Sequence, residues 1–353
     1  MKKQFRSLLY SFLFVFGAIL TACGTSVGTE TNISSEVQES DNPKSEVYKW
    51  SLGINTTEGS VRDITAKKFK EVVEEKTDGR LQIDIHLGES LGTEQEMVNM
   101  VQVGALELQL AGGLFANIVP EYNTLSLPFI VDDYDEAYAV LDGPVGDRWK
   151  ELASERGFKV LAHTELGFAQ ITTNNKPIYH PDDLKGLRMR SPNEAIWIES
   201  FRELGSAVST MPFTEVYMAL SQGVVDGQFN PPSAIYETNF HEVQDYLALT
   251  NHFYWHVNFI MNDDLWNSLD EELQEIIQEA AYEARDLSRA HIQKKDAEML
   301  EILKDEFIEI TEPDIQAFRD VLEPKIDSIS KTIPAEAVEE TYKFLEEYRQ
   351  AKN

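Results

Sequence analysis

The chain contains the stretch LKGLRMRSPN at residues 184–193, in which apolar and basic residues alternate ahead of a proline. This alternation predicts a short β-strand that ends near Pro192 and carries Arg190 to its carboxyl end. In α/β sheets, ligands bind just beyond the carboxyl ends of the strands. A guanidinium is a planar fork of donors that suits the two oxygens of a carboxylate. On its own, the stretch allows two interpretations of Arg190, an anion-binding residue or an arginine on a solvated strand face that pairs with a surface acid.

Two further motifs follow soon after, MPFTEVY at residues 211–217 and VDGQFNP at residues 225–231. Their spacing from the first stretch resembles that of the DctP-type solute-binding proteins of TRAP transporters, and a weaker likeness runs from about residue 48 to near the C-terminus. The resemblance implies a two-lobed, periplasmic-binding-protein-like α/β fold with a hinge and a long C-terminal helix that spans both lobes. It implies a non-enzymatic receptor, without a cofactor, for a small organic acid. Its expected partners are the small and large integral-membrane subunits of a TRAP transporter.

The N-terminus has the features of an export signal. Three basic residues lie among the first six, and a nearly unbroken apolar run from Leu8 to Leu20 follows. This run is short for a membrane span and typical of a signal peptide. It ends in LTAC, which resembles a bacterial lipobox, and Cys23 is the one cysteine of the chain. We predict a lipoprotein signal peptide over 1–22, an acylated (palmitate-type) Cys23 and a flexible tether over 23–45, with an ordinary secretory signal as the alternative.

On this interpretation the protein is exported and anchored by lipid to the outer face of the cell membrane. Its net charge is −30 overall, and removal of the signal leaves 28 Lys and Arg against 61 Asp and Glu, a net charge of −33. So acidic a chain is poorly suited to nucleic acid, and we predict no nucleic-acid partner. An anionic ligand has to be held by a local cation, which makes each arginine in a pocket informative.

Strand-like and helix-like segments alternate after the tether. Residues 81–85 alternate with period two, whereas residues 61–77 and 94–103 have apolar residues at helical spacing. This βαβ alternation predicts parallel sheets covered by helices, and the length predicts two lobes. The predicted lobes are 46–168 plus 252–290 for lobe 1 and 169–251 plus 291–353 for lobe 2.

A helical pattern without Gly or Pro runs from about Ser268 to Glu306. Ser268 and Glu271 have the spacing of a capping box at its start. A helix of this length reaches about 55 Å, which exceeds the width of one small lobe. It must project, form a coiled coil or lie across both lobes. Because its Ala-rich apolar stripe drifts without a sustained heptad, we favour the helix that spans both lobes.

The resemblance assigns roles to three residues. Arg190 matches the carboxylate clamp of the family, whereas Arg188 on the same strand face is interpreted as a surface residue paired with an acid. Asn230, which precedes Pro231, matches a ligand-contacting asparagine, with a turn asparagine as the alternative. Phe213 matches a residue that packs on the ligand, with a plain core residue as the alternative.

Five other positions are candidates, and three of them have two interpretations each. Asn55 follows the first predicted strand, where either a first-lobe ligand contact or a turn asparagine belongs. Glu94 is either a pocket acid or an acid stabilised by the N-terminus of its helix. Gly112 and Gly113 follow a strand and allow a close backbone approach. Trp255 lies where the chain should recross between the lobes, as either an aromatic wall for the ligand or a packing residue.

The segment GFAQITTN at residues 167–174 departs from the family pattern, because Ala169 stands where relatives often have a second arginine. Loss of that cation favours a monocarboxylate or sugar acid over a dicarboxylate. Gln170, in the same segment, is a further predicted ligand contact.

Enzymes, metal sites and sensors are the other classes to consider. The sequence GTSVG at residues 24–28 fits G-x-S-x-G, but it lies in the tether and not between a strand and a helix. His252, Tyr254 and His256 share a predicted strand face, but no metal-binding motif accompanies them, and we predict no metal site. A lipid-anchored extracellular hydrolase and a ligand-binding sensor module stay as alternatives.

Overall fold

The computed structural model describes residues 47–352, which all belong to one compact unit. The predicted signal peptide, Cys23 and the tether lie outside the described residues. Within 47–352, no helix combines the length and the apolar character that crossing a bilayer requires.

Between residues 47 and 352 the chain forms eleven strands in two sheets. The strands are β1 (Tyr48–Gly53), β2 (Leu81–His86), β3 (Leu108–Ala111), β4 (Phe158–Phe168), β5 (Gln170–Thr173), β6 (Arg188–Ser191), β7 (Ala207–Thr210), β8 (Gly227–Asn230), β9 (Tyr246–Ala248), β10 (Tyr254–Asn262) and β11 (Glu309–Thr311). The first sheet has the order β2-β1-β3-β10-β4, and the second has the order β11-β9-β5-β8-β6-β7. Each sheet belongs to one lobe, and the two-lobed α/β architecture is as predicted.

The same range contains twelve α-helices, which cover the sheets. They are α1 (Val61–Lys76), α2 (Glu94–Gln102), α3 (Tyr134–Leu141), α4 (Pro144–Ser154), α5 (Ala195–Glu203), α6 (Val216–Ser221), α7 (Pro232–Glu237), α8 (Asp263–Ser268), α9 (Glu271–Leu303), α10 (Ile315–Leu322), α11 (Ile326–Ile329) and α12 (Ala335–Lys352). Short 3-10 turns join several of them, including Gly113–Asn117 and Phe213–Glu215.

Local sequence signals place the first-lobe elements around one edge of the sheet. The Ser60 side chain caps α1 by accepting a hydrogen bond from the Asp63 N–H at 3.3 Å. Thr93 and Glu96 form a capping box that starts α2. Both helices therefore begin just beyond the carboxyl ends of the strands that precede them, which is where ligands bind in α/β sheets.

The strands that join the lobes run against the rest of each sheet. β4 ends at Phe168 and β5 begins at Gln170, so the chain passes from the first sheet to the second at Ala169. β10 pairs antiparallel with β3 and β4, and β5 pairs antiparallel with β8 and β9. The prediction of parallel sheets is therefore wrong at β10 in the first sheet and at β5 in the second. A parallel neighbour needs a crossover connection, usually a helix, and these strands arrive directly from the other lobe instead.

The long helix α9 extends for 33 residues, which corresponds to about 50 Å. It packs on α1 and β4 of the first lobe and on α7 of the second. The prediction of a helix across both lobes is confirmed.

The start of α9 differs from the predicted capping box. Ser268 is the last residue of α8, and Leu269 is extended. Asp270 is the N-cap, and its carboxylate accepts a hydrogen bond from the Leu273 N–H at 2.8 Å. Asp270 also pairs with Arg80 at 2.7 Å, which ties the helix start to the turn before β2. Asp270 is the N-cap in place of Ser268 because it caps the helix and also forms the ion pair with Arg80.

The strands of the first sheet lie within the residues predicted for lobe 1, and those of the second sheet lie within the residues predicted for lobe 2. The assignment of every residue to a lobe stays a prediction. The last helix departs from that division. α12 was expected in lobe 2, but it packs on α3, α4 and the turn Pro120–Ser126 of the first lobe. Arg349 of α12 binds Glu136 of α3 at 2.7 Å, which holds the helix there.

The main hydrophobic core lies around the first sheet and continues through the crossing strands into the second lobe. Phe69, Phe158 and Trp149 are fully buried on the first-lobe side, and Phe229 and Phe253 extend the core across the hinge. A smaller core includes residues of α6 and the end of α9. The two lobes thus share apolar packing at the hinge, which leaves the opposite side free to form a cleft.

A buried acid at the hinge predicts how stability depends on pH. Glu165 of β4 is 1% exposed, accepts a hydrogen bond from the Tyr138 hydroxyl and lies near Arg289. Burial raises the pKa of Glu165 from 4.5 to about 8. The folded state therefore keeps a proton that the unfolded chain releases. The contribution of the protonated Glu165 to the free energy of unfolding is lost as the pH rises from about 4.5 to about 8.

We expect the Glu165→Gln variant to melt at a higher temperature than the wild type at pH 8, with a smaller difference at pH 5. Thermal unfolding at a series of pH values measures this difference. Glu275→Gln, at an exposed position on α9, is the matched control for loss of one negative charge. Parallel pH profiles for wild type and Glu165→Gln would show that Glu165 does not titrate in this way.

Candidate ligand-binding site

A cavity of about 330 Å³ lies between the two lobes. Six of the seven predicted ligand-binding residues line it, and ligand contact itself stays a prediction for each. These six are Asn55, Glu94, Arg190, Phe213, Asn230 and Trp255. The cavity therefore brings together side chains that the sequence separates by up to 200 residues.

Arg190 comes from β6 and lies on the second-lobe wall of the cavity. The strand ends at Ser191 just before Pro192, as predicted. The side chain is 3% exposed, and its Nη2 donates a hydrogen bond to the Met211 carbonyl at 2.9 Å. Its Nε has no hydrogen-bond partner among residues 47–352. The guanidinium is thus held by one backbone bond and keeps donors for another group.

Burial governs the electrostatics of Arg190. Desolvation lowers the pKa of Arg190 to about 10, and the negative charges of Glu94 and Glu89 act in the opposite direction. The guanidinium is therefore charged at neutral pH. A buried cation without a paired anion is unfavourable, so an anion that reaches this position gains a strong interaction.

Arg188, two residues earlier on the same strand, differs from Arg190 in its exposure and in its partner. It is exposed, and its Nε donates to the Asp226 carboxylate at 3.0 Å in an ion pair. The sequence-based interpretation of Arg188 as a paired surface residue is confirmed. One strand therefore carries a neutralised arginine at its outer end and, in the cavity, an arginine that forms no ion pair with residues 47–352.

Phe213 and Asn230 complete the second-lobe wall. The Arg190 guanidinium lies over the Phe213 ring, 5.8 Å from its centroid, and Phe213 packs edge-on against Phe240. Asn230, at the end of β8, is 1% exposed and donates a hydrogen bond to the Gln228 side chain. Gln228 in turn donates to Thr172 at 2.9 Å. Phe213 is therefore both a packing residue and a cavity wall, and a side-chain network orients Asn230.

The first-lobe wall is a hydrogen-bonded cluster. Asn55 donates to the Glu94 carboxylate and accepts from Nη1 of Arg62. Glu94 also accepts from the Gly112 N–H at 2.7 Å, and Nη1 of Arg62 lies 3.5 Å from Glu94. Glu94 is the first residue of α2 as well, so both sequence-based interpretations of Glu94 describe its position.

Arg62 is a cavity residue that the sequence reasoning missed. It is 6% exposed and lies in the first turn of α1, directly after the N-cap Ser60 and Val61. A cation in the first turn is disfavoured by the helix dipole, which favours anions there. The sequence does not show which group stabilises this cation, because Glu94 lies 32 residues further along the chain.

Trp255 forms the base of the cavity between the lobes. Its ring stacks on Trp197 with a centroid separation of 4.6 Å and meets Phe229 at 5.6 Å. The indole N–H groups of Trp197 and Trp255 have no hydrogen-bond partner within the described part of the chain. Trp255 is thus a packing residue and an aromatic cavity wall at once.

Gln170 does not line the cavity, contrary to the expectation of a ligand contact. Its side chain is used within the hinge, where it accepts from the Asn251 N–H at 3.1 Å and donates to the Asn251 side chain and to the Phe168 carbonyl. Position 170 begins β5 immediately after the crossing, so the side chain serves the crossing strands. Ala169 is fully buried at the same crossing. The second cation of the cavity comes from Arg62 instead, on a different element.

Hydrogen bonds and a close approach at a glycine join the lobes across the cleft. Thr214 of the second lobe donates to Glu89 of the first at 2.7 Å, and Asn117 donates to the Asn193 carbonyl at 3.2 Å. A Cβ on Gly113 would lie 2.1 Å from the Glu194 carboxylate. The close approach predicted for this glycine is therefore to protein side chains of the opposite lobe.

Two further titratable groups line the cavity. Burial raises the pKa of Glu237 to about 7, despite Lys295 at 3.9 Å. Burial lowers the pKa of His256 to about 4, so this imidazole is neutral at pH 7. Among residues 47–352, no group of three or more His, Asp and Glu side chains is arranged to hold a metal ion.

Comparison with known proteins places this site in a family. The profile of the family described as bacterial extracellular solute-binding protein, family 7 (DctP), matches residues 52–332. The chain belongs to the DctP family of TRAP transporter solute-binding proteins. Proteins of this family are extracytoplasmic and bind solutes without enzymatic activity, so the hydrolase alternative is rejected.

Two curated DctP-type relatives and one solved structure illustrate the similarity. The 2,3-diketo-L-gulonate-binding periplasmic protein YiaO of Escherichia coli is 33% identical over 286 residues, or 80% of this chain and 87% of the relative. The C4-dicarboxylate-binding periplasmic protein DctP of Rhodobacter capsulatus is 31% identical over 280 residues, covering 77% and 84%. The sugar acid binding protein DctPAm of Advenella mimigardefordensis, solved in complex with galactonate, has a TM-score of 0.82 and 27% identity, with 86% of this chain and 99% of that chain covered.

Proposed function

We propose that this DctP-family protein captures a small hydroxylated monocarboxylate, of the sugar-acid class, and delivers it to the small and large membrane subunits of a TRAP transporter. The observation that carries this proposal is the buried guanidinium of Arg190 in a cavity between two lobes, where its Nε has no hydrogen-bond partner in the described part of the chain. A carboxylate with two oxygens fits such a fork of donors.

Charge balance in the cavity supports a single carboxylate. Arg62 lies against Glu94, so its charge is neutralised inside the first lobe. Arg190 makes its described hydrogen bond to a carbonyl, which carries no net charge. One cation is therefore available to an anionic ligand. This charge balance favours a monocarboxylate, and it does so independently of Ala169, on which the sequence-based preference depended.

The rest of the lining favours a ligand with hydroxyl groups. Thr56, Thr57 and Ser60 contribute side-chain hydroxyls to the first-lobe wall, and Asn230 contributes an amide to the second. Trp255 and Phe213 supply apolar surface for a carbon skeleton. A cavity of about 330 Å³ is near the lower end of the range for small-molecule sites, so the ligand is small.

The relatives support the same chemical class. One is named for 2,3-diketo-L-gulonate and one was solved with galactonate, both of which are sugar acids with one carboxylate. Another is named for C4-dicarboxylates, so the fold itself does not decide the number of carboxylates. The pairing of Arg62 with Glu94 is the feature of this chain that favours one.

Ligand binding is proposed to close the hinge. Without a ligand, closure buries Arg190 with no anion, which is unfavourable. Charge-assisted hydrogen bonds contribute about 1.5–3 kcal/mol each, enough to shift the population towards the closed form. The contacts of Thr214 with Glu89 and of Asn117 with Asn193 then form part of the closed shape that the membrane subunits recognise.

We also propose that Cys23 is acylated and anchors the exported protein to the outer face of the membrane. The support is the LTAC sequence at the end of the apolar run. Incorporation of labelled palmitate in growing cells, tested on the wild type and on Cys23→Ser, distinguishes this anchor from an ordinary secretory signal.

A thermal-shift screen tests the proposed ligand class. The protein starting at about residue 24 is mixed with monocarboxylates, dicarboxylates, sugar acids, keto acids and neutral sugars. We expect the largest stabilisation from sugar acids with one carboxylate, and recovery of each ligand chemically unchanged. Stabilisation by neutral sugars alone would contradict the proposal.

A further inference from the structure

Arg62 and Glu94 form a pair that is built into the first-lobe wall. Both side chains line the cavity and are about nine-tenths buried, at 6% and 8% exposure. Asn55 bridges them, because it accepts from Arg62 and donates to Glu94. The Arg62–Glu94 pair therefore lines the cavity, and hydrogen bonds to other residues of the protein hold it in place.

The backbone around Glu94 is shaped to hold its carboxylate in this place. Oε1 accepts the Gly112 N–H at 2.7 Å, and the Glu94 N–H donates to Glu89 at 3.1 Å. A Cβ at position 112 would lie 2.5 Å from Nη2 of Arg62 and 2.8 Å from Oε1 of Glu94. Only a residue without a side chain leaves room for the pair, which explains why glycine occupies this position.

We propose that Glu94 is a specificity-determining residue that sets the number of carboxylates the cavity accepts, through its pairing with Arg62. While Glu94 pairs with Arg62, the guanidinium is engaged, and a second ligand carboxylate meets the like charge of Glu94. With Glu94 replaced by a neutral isostere, Arg62 is a buried cation without an anion, and a second ligand carboxylate supplies one. This inference rests on the proposed capture of a monocarboxylate at Arg190.

The alternative to this role is a purely structural one, in which the pair only stabilises the start of α1 and α2. Glu→Gln keeps the size of the side chain and an oxygen that accepts the Gly112 N–H. A structural role therefore predicts a change in unfolding temperature without a change in ligand preference. A specificity role predicts a change in the ratio of affinities for two ligands of the same skeleton.

The test is calorimetric titration of the full-length chain in mild detergent with two matched ligand pairs. Galactonate and galactarate share one skeleton, as do threonate and tartrate, and the second member of each pair has one more carboxylate. We expect the wild type to prefer the monocarboxylate member. In Glu94→Gln, we expect the ratio of the two dissociation constants to shift towards the dicarboxylate by about tenfold to a hundredfold.

The double variant Arg62→Met with Glu94→Gln separates the outcomes. It lacks both charges, so we expect it to return to the monocarboxylate preference, because the switch requires a free Arg62. An unchanged ratio in folded Glu94→Gln, or a switch that persists without Arg62, overturns the inference and leaves the proposed function standing. A wild type that binds neither member of either pair overturns both.

Discussion

Arg190→Ala is expected to weaken binding of the carboxylate ligand by about a hundredfold or more. The variant loses at least two charge-assisted hydrogen bonds of about 1.5–3 kcal/mol each, and 1.4 kcal/mol corresponds to a factor of ten in affinity. The fold should persist, because removal of a buried cation that lacks an ion partner relieves an unfavourable burial. Calorimetric titration with the best ligand of the thermal-shift screen measures the loss.

Arg188→Ala is the matched control. It removes an arginine of the same strand whose partner is Asp226 at the protein surface. We expect its affinity for the ligand to stay within about threefold of the wild type, as is usual for surface ion pairs. Equal affinities for Arg190→Ala and the wild type would contradict the role of Arg190 as the carboxylate clamp.

Gly113→Ala is expected to weaken ligand binding by about tenfold to a hundredfold, because the added methyl group keeps the lobes apart. Its Cβ would lie 2.1 Å from Oε2 of Glu194 and 2.7 Å from the Trp197 ring, and both residues belong to the second lobe. Overpacking of this kind costs about 1–3 kcal/mol. Burial also raises the pKa of Glu194 well above its usual range, which favours the uncharged form of the carboxyl.

The substitution tests closure because Gly113 does not have a positive φ. Alanine therefore fits the backbone of the isolated first lobe, and we expect little change in the unfolding temperature without ligand. Removal of the Glu194 side chain in the double variant Gly113→Ala with Glu194→Ala should restore part of the affinity. Calorimetric titration, with small-angle scattering of the ligand-bound protein, measures both effects. A wild-type affinity in Gly113→Ala would show that the lobes do not meet at this glycine when ligand is bound.

Much of the fold follows from local sequence patterns. The uninterrupted helical pattern indicated α9, and the length of that helix, set against the size of a lobe, indicated that it spans both lobes. The direction of β5 and β10 could not be inferred in this way. It depends on where the chain crosses between the lobes, and the alternation of apolar residues is the same in a parallel and an antiparallel strand.

Some residues of the candidate site could likewise be predicted from the sequence, and others could not. The places of Arg190 and Asn230 in the cavity wall were predictable because each lies among the last two residues of a short strand that a proline follows, in a motif of defined spacing. Arg62 was not found, because a single basic residue in a helix carries no visible partner in the sequence. Its role depends on Glu94 and Gly112, which lie 32 and 50 residues further along. Gln170 was predicted as a ligand contact because its neighbours match a family motif, but its side chain is used in the hinge and does not line the cavity.

The central claim is that the buried guanidinium of Arg190 selects a ligand by its carboxylate. The most direct test is calorimetric titration of the wild type with galactonate and with galactitol, which differ in the group at one end of the same carbon skeleton. We expect galactonate to bind at least about a hundredfold more tightly than galactitol, since the carboxylate supplies the charge-assisted hydrogen bonds. Equal affinity for the neutral galactitol would contradict it.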